Sequence, residues 1–203
     1  MTEHTIKDEL KNPPEALGVE VVYTKNVHEA ETWLRTHITD CSATAVGFDI
    51  EWKTQTVRKE CGGTENKTAV LQLGVDTSCL VLHIYHMETL PDLLVAVLKD
   101  ATVSKIGSRI EDDMSKLERD RGLVCCGFVD TQERAKFLDP SSSEVGLKAL
   151  AKRYLGIEVP KNTWVATSNW ENFPLTPKQR RYAALDAWIG LKVFYEMKQS
   201  KGS

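Results

Sequence analysis

No stretch of this 203-residue sequence approaches the roughly 18 uninterrupted apolar residues that a membrane-spanning helix requires. The segment Met1 to Pro14 is polar and carries Glu3, Lys7, Asp8 and Glu9, so it lacks the apolar centre of a secretory leader. The expected location is intracellular, in the nucleus or the cytoplasm. Cysteine is scarce: five residues, an odd number, with no C-x-x-C pair. That fits reduced thiols better than a disulfide framework or a cysteine zinc site. Without a leader, the triplet Asn66-Lys67-Thr68 reads as a chance match to a glycosylation signal. Internal repeats and low-complexity tracts are also missing. So is an excess of positive charge. The formal net charge is −3, which argues against gripping nucleic acid by bulk electrostatics and leaves any such grip to local basic clusters or bound cations.

What remains is an ordinary globular composition, 41% hydrophobic and 27% charged, in a chain long enough for one buried core. Residues 1–18, with Pro13-Pro14, read as a lead-in, residues 19–198 as a single domain, and residues 199–203 as a tail. Strand-like and helix-like runs alternate through the domain. Strands are expected over Val19 to Tyr23, Thr44 to Ile50, Ala69 to Val75, Cys79 to Ile84 and Val103 to Ile106. Helices are expected over Val27 to Thr36, Pro91 to Leu98 and Ile110 to Asp120, with helix following helix after about residue 130. Ser141 to Glu144 resembles a capping box, Gly156 a helix stop, and Thr176 to Gln179 a second capping box opening a long helix through Met197. The fold class is α/β.

Three acidic constellations sit on these elements. Asp49 and Glu51 lie at the exit of the most buried strand, and alternation puts them on one face while Phe48, Ile50 and Trp52 take the other. Two carboxylates there repel each other, and burial raises the cost, so the pair invites a divalent cation. Glu111, Asp112 and Asp113 open the next helix, where acids alone would only complement the helix dipole. Tyr182 and Asp186, four residues apart, stack on a helix stripe continued by Ile189 and Val193. A carboxylate on that stripe needs a cation, and the stripe carries no Lys or Arg. Other residues read as structural: Asp130-Thr131 as a helix cap, Trp33, Trp170 and Trp188 as core, His83 and His86 as outside any metal-ligand spacing. Lys148, Lys152, Arg153, Lys178, Arg180 and Arg181 read equally as phosphate contacts or solvated helix surface.

In order and spacing, Asp49-x-Glu51, then Asp113, then Tyr182-x-x-x-Asp186 resembles the DEDDy 3′→5′ exonucleases, the group that includes ribonuclease D and the Werner syndrome exonuclease. The stretches FDIEW, GSRIEDDMSKL and SNWENFPLTPKQRRYAALDA carry the likeness over Val19 to Met197. The resemblance implies a ribonuclease H-like fold, a mixed five-stranded sheet flanked by helices. It implies catalysis by two Mg²⁺ or Mn²⁺ ions held by Asp49, Glu51, Asp113 and Asp186, with Tyr182 orienting the attacking water and a nucleic-acid 3′ end as partner. Asp113 is the third acid by its match to MSKL, with Asp112 the alternative. Expected substrate contacts are Trp52, Lys53, Arg58, Lys59 and Arg109, with the glycine-bearing segment Lys53 to Lys67 as either a flap or a solvated loop. The rival reading is an inactive relative that binds RNA or scaffolds other proteins; retention of all four acids and the tyrosine favours activity.

Overall fold

Strand β2 (Ala45–Trp52) runs through the middle of the sheet because its residues can be buried on both faces. The computed structural model describes residues 18–55, 65–159 and 163–200. Around β2 stand β1 (Glu20–Thr24), β3 (Thr68–Gly74), β4 (Ser78–Leu82), β5 (Ser104–Gly107) and β6 (Phe128–Asp130), in the order β1-β4-β3-β2-β5-β6. Strands β2, β3 and β4 form an antiparallel meander, while β1, β5 and β6 join in parallel. The sheet is therefore mixed, as expected, but among the described residues it carries six strands rather than five. The additional strand, β6, has only three residues, too short to show a period in sequence.

Each face of the sheet has its own apolar core. On one side, Phe48 and Ile50 of β2 and Leu71 and Leu73 of β3 pack against α1 (Val27–Leu34), α2 (Asp92–Lys99) and α3 (Ile110–Arg121). On the other, Val70 and Val81 meet α4 (Thr131–Leu138), α5 (Leu147–Leu150), α6 (Thr163–Ala166) and the long α7 (Pro177–Gln199). None of these helices is long and apolar enough to cross a membrane. Helix α7 starts from a complete capping box, in which the Thr176 hydroxyl accepts from the Gln179 N–H and the Gln179 side chain accepts from the Thr176 N–H. The other expected box does not form. Helix α5 begins at Leu147 behind Gly146, and Asp139 instead accepts from the Ser141 hydroxyl at 2.6 Å and pairs with Arg153 at 2.9 Å. Gly156 does end the turn after α5, at φ 67°.

Helix α7 lies unusually close to the sheet, and glycine makes that possible. A Cβ on Gly47 would fall 2.0 Å from the Ala187 carbonyl oxygen, and one on Gly74 would fall 3.2 Å from the Trp188 backbone. With Ala183, Ala184 and Ala187 buried opposite, the helix backbone rests almost directly on β2 and β3. That approach carries the Asp186 carboxylate to the strand acids.

Candidate active site

Alternation along β2 does what the sequence implied. Phe48 and Ile50 are 1% and 2% exposed in one core, while Gly47 faces α7 and so sets Asp49 and Glu51 on the α7 side. A register shift between Glu51 and Trp52 ends the regular pairing with β3 at this point. From α7, Asp186 completes the group: one carboxylate oxygen each of Asp49, Glu51 and Asp186 lie within 4.8 Å of one another. Tyr182, one turn earlier, donates its hydroxyl to Asp186 and packs beside the buried Trp170, ring centroids 6.1 Å apart.

The first turn of α3 supplies the fourth acid. Asp113 is 9% exposed and lines the same cavity of about 490 Å³ as Asp49, Glu51, Tyr182 and Asp186. Asp112 points outward, its side chain 67% exposed, and accepts from the Arg109 guanidinium at 2.7 Å. Of the two neighbouring acids, the buried one facing β2 is thus Asp113, though its oxygens stand apart from the tight trio. Arg109 sits in the left-handed region at φ 60° as the residue preceding α3. The Ile110 N–H behind it donates to Asp130 at 3.0 Å, while the other Asp130 oxygen accepts from Gln132 and Glu133. Asp130 is a helix cap, as read from sequence, and it also fixes the start of α3.

Burial and mutual repulsion dominate the electrostatics. Asp49 is pushed well above the usual carboxylate range by desolvation, then by the charges of Asp113 and Asp186. Glu51 is raised by desolvation, then by Asp49, Asp186 and Asp113. Asp113 rises to about 7, chiefly through burial with Asp112 adding, against Arg109. Asp186 rises to about 6 through burial, held back by the Tyr182 hydrogen bond and by Lys148. The Tyr182 phenol is pushed far up by burial and by Asp186, Glu51 and Asp49, so it stays protonated. Four acids so placed are costly without a cation. An all-oxygen donor set fits a hard divalent ion such as Mg²⁺ or Mn²⁺.

The expected substrate contacts are not all brought to the cavity. Trp52 and Arg109 line it. Trp52 is partly packed on the core, and the Lys116 ammonium stands 4.8 Å from its ring centroid. Lys53 pairs with Glu171 at 3.7 Å. Arg58 and Lys59, with much of the segment Lys53 to Lys67, lie outside the described residues, as do most of the lead-in and the end of the tail.

Sequence reasoning overlooked Lys116, although its spacing of three from Asp113 put it on the same side of α3. Only 2% exposed, Lys116 donates to the Asn66 carbonyl at 2.7 Å and pairs with Asp120 at 3.1 Å. Asn66 in turn donates to the Lys53 carbonyl at 2.9 Å, so both ends of the β2–β3 connection are pinned beside the acids. His83 is likewise structural. Its Nε2 lies 2.9 Å from the Trp170 carbonyl, which can only accept, so Nε2 carries the proton and Nδ1 accepts from the Tyr23 hydroxyl at 2.7 Å. The Tyr23 oxygen accepts from Leu175 N–H at 3.0 Å, which ties the approach to α7 onto the edge of the sheet.

Residues 24–200 match the family model of the 3'-5' exonucleases. The mouse bifunctional 3'-5' exonuclease/ATP-dependent helicase WRN is 36% identical over 153 residues, covering 75% of this chain and 11% of the mouse protein. An Arabidopsis thaliana 3'-5' exonuclease is 29% identical over 194 residues, 92% of this chain and 66% of the relative. The chain therefore spans only part of each relative. Among solved structures, the Aedes aegypti Nibbler EXO domain superposes with a TM-score of 0.74 at 20% identity, covering 90% of this chain and 89% of that one. Escherichia coli RNase D, an exoribonuclease involved in structured RNA processing, superposes with a TM-score of 0.70 at 20% identity over 90% and 46%. These two likenesses show the fold.

Proposed function

This chain belongs to the 3′–5′ exonuclease family, and we propose that it hydrolyses the terminal phosphodiester at the 3′ end of a nucleic acid with two divalent cations, releasing nucleoside monophosphates. One observation carries the reading: three carboxylates from two elements converge within 4.8 Å at the floor of an open cavity. When bound, a pair of Mg²⁺ or Mn²⁺ ions supplies Lewis-acid stabilisation of the entering and leaving oxygens of an in-line displacement.

The roles of the chain's own residues follow from position. Asp49, Glu51 and Asp186 would hold a cation between them, and Asp113, lining the same cavity from α3, would help to hold a second beside it. The Tyr182 hydroxyl keeps its proton, because neighbouring carboxylates and burial oppose a phenolate. It therefore acts as a hydrogen-bonding group that orients the attacking water, rather than as a base. Arg109 at the rim offers the cationic contact for backbone phosphates. Lys116 holds Trp52 and the base of the β2–β3 connection in place at the cavity wall.

The test is a purified chain with a 5′-labelled oligonucleotide, DNA and RNA in parallel, and Mg²⁺ or Mn²⁺. Progressive shortening is expected, lost with Asp49→Ala or Asp186→Ala. A protein that binds the oligonucleotide yet shortens neither substrate with either metal overturns the reading, and would turn attention to the inactive, nucleic-acid-binding alternative.

A further inference from the structure

Gln72 interrupts the apolar run of β3. Leu71 and Leu73 on either side point into the core opposite α7, so Gln72 faces α7 together with Val70. The antiparallel register pairs Gln72 directly with Asp49. Directly paired residues share a face, with Cβ atoms about 5 Å apart. Gln72 is wholly buried, and neither its Nε2 nor its Oε1 has a hydrogen-bond partner among the described residues. On its other flank the paired residue is Val81, whose side chain has nothing to offer an amide.

A buried primary amide without partners is a net loss to folding, and an apolar side chain of the same length would serve the core better. Packing therefore gives no reason for glutamine at this position. Its place against Asp49 does. A carboxylate that binds a cation through one oxygen is held in register when its other oxygen accepts a hydrogen bond from the protein.

We propose that Gln72 is a positioning residue for Asp49: its Nε2–H, without a partner in the present side-chain arrangement, turns to donate to the carboxylate oxygen directed away from the cavity when Asp49 engages a cation, and so fixes which oxygen faces the metal. This rests on the reading of Asp49 as a metal ligand. The Gln72 amide touches neither substrate nor cation; it acts through the orientation of Asp49.

The test uses the whole chain without substrate: calorimetric titration with MnCl₂, and thermal unfolding in EDTA, for the wild type, Gln72→Met and Gln72→Asn. In EDTA, Gln72→Met is expected to be at least as stable as the wild type, because it removes two unmet polar groups. Its Mn²⁺ affinity is expected to fall about 10–100-fold, with Gln72→Asn, which keeps the amide one methylene short, in between. Wild-type affinity in a folded Gln72→Met overturns the inference while leaving the metal reading intact. Should Gln72→Met fail to fold, an unchanged affinity in Gln72→Asn overturns it equally. A wild type that takes up no Mn²⁺ refutes the metal reading itself, and this inference with it.

Discussion

Adding one methyl group at Gly47 is expected to disable the site without touching any acid. The Cβ of Gly47→Ala would stand 2.0 Å from the Ala187 carbonyl oxygen and 2.8 Å from its carbonyl carbon. To reach an ordinary contact of 3.4 Å, α7 must withdraw from β2 by about 1.4 Å. The obstacle is backbone on a 23-residue helix, not the end of a flexible side chain, so no local rotation relieves it. Overpacking of this kind costs about 1–3 kcal/mol. In a chain of this size that lowers the unfolding midpoint by roughly 2–12 °C. Asp186 sits next to Ala187, so the same withdrawal separates its carboxylate from Asp49 and Glu51. Misplacement by about 1 Å costs on the order of 10²-fold in rate. Thermal unfolding, Mn²⁺ titration and oligonucleotide shortening on one preparation separate the two effects. The reasoning is refuted if Gly47→Ala unfolds at the wild-type temperature and binds Mn²⁺ as tightly.

Two further outcomes follow from the electrostatics. In EDTA, Asp113→Asn is expected to be more stable than the wild type. Raising the Asp113 carboxyl from 3.8 to about 7 sets an upper bound of about 4 kcal/mol on the cost of its ionised form. The folded value lies above the unfolded one, so this cost is fully present above pH 7 and is relieved as pH falls toward 3.8; an Asn variant equal to or below the wild type at pH 8 contradicts it. His83 works in the opposite direction. Burial, then the neighbouring His86, lowers it to about 4 from 6.5, so up to about 3 kcal/mol of stability is present above pH 6.5 and lost as pH falls through 4. Denaturant melts of wild type and His83→Gln between pH 4 and 7 should show that extra slope in the wild type alone, and parallel curves would rule it out.

How far the site could be read from sequence depended on whether local geometry decided the question. Strand alternation set Asp49 and Glu51 apart from Phe48 and Ile50, and helix spacing joined Tyr182 to Asp186. Both rules act within one element. The choice between Asp112 and Asp113 is different, because adjacent residues in a first turn differ only in which one the tertiary fold turns toward β2. Gln72 went unnoticed for the same reason. One polar residue in an apolar strand acquires meaning only when the register of the neighbouring strand sets it against Asp49. The three residues of β6 give no periodic signal. The Ser141 to Glu144 motif had the right residues, but Asp139 claims the Ser141 hydroxyl and the helix starts at Leu147.

The most direct measurement places the label at either end of one oligonucleotide. With Mn²⁺, a 3′ label should leave in the first turnover as a mononucleotide while a 5′ label yields a descending ladder, and EDTA or Asp186→Ala should stop both. A 5′-labelled strand that stays whole, or that breaks at internal positions first, contradicts the account.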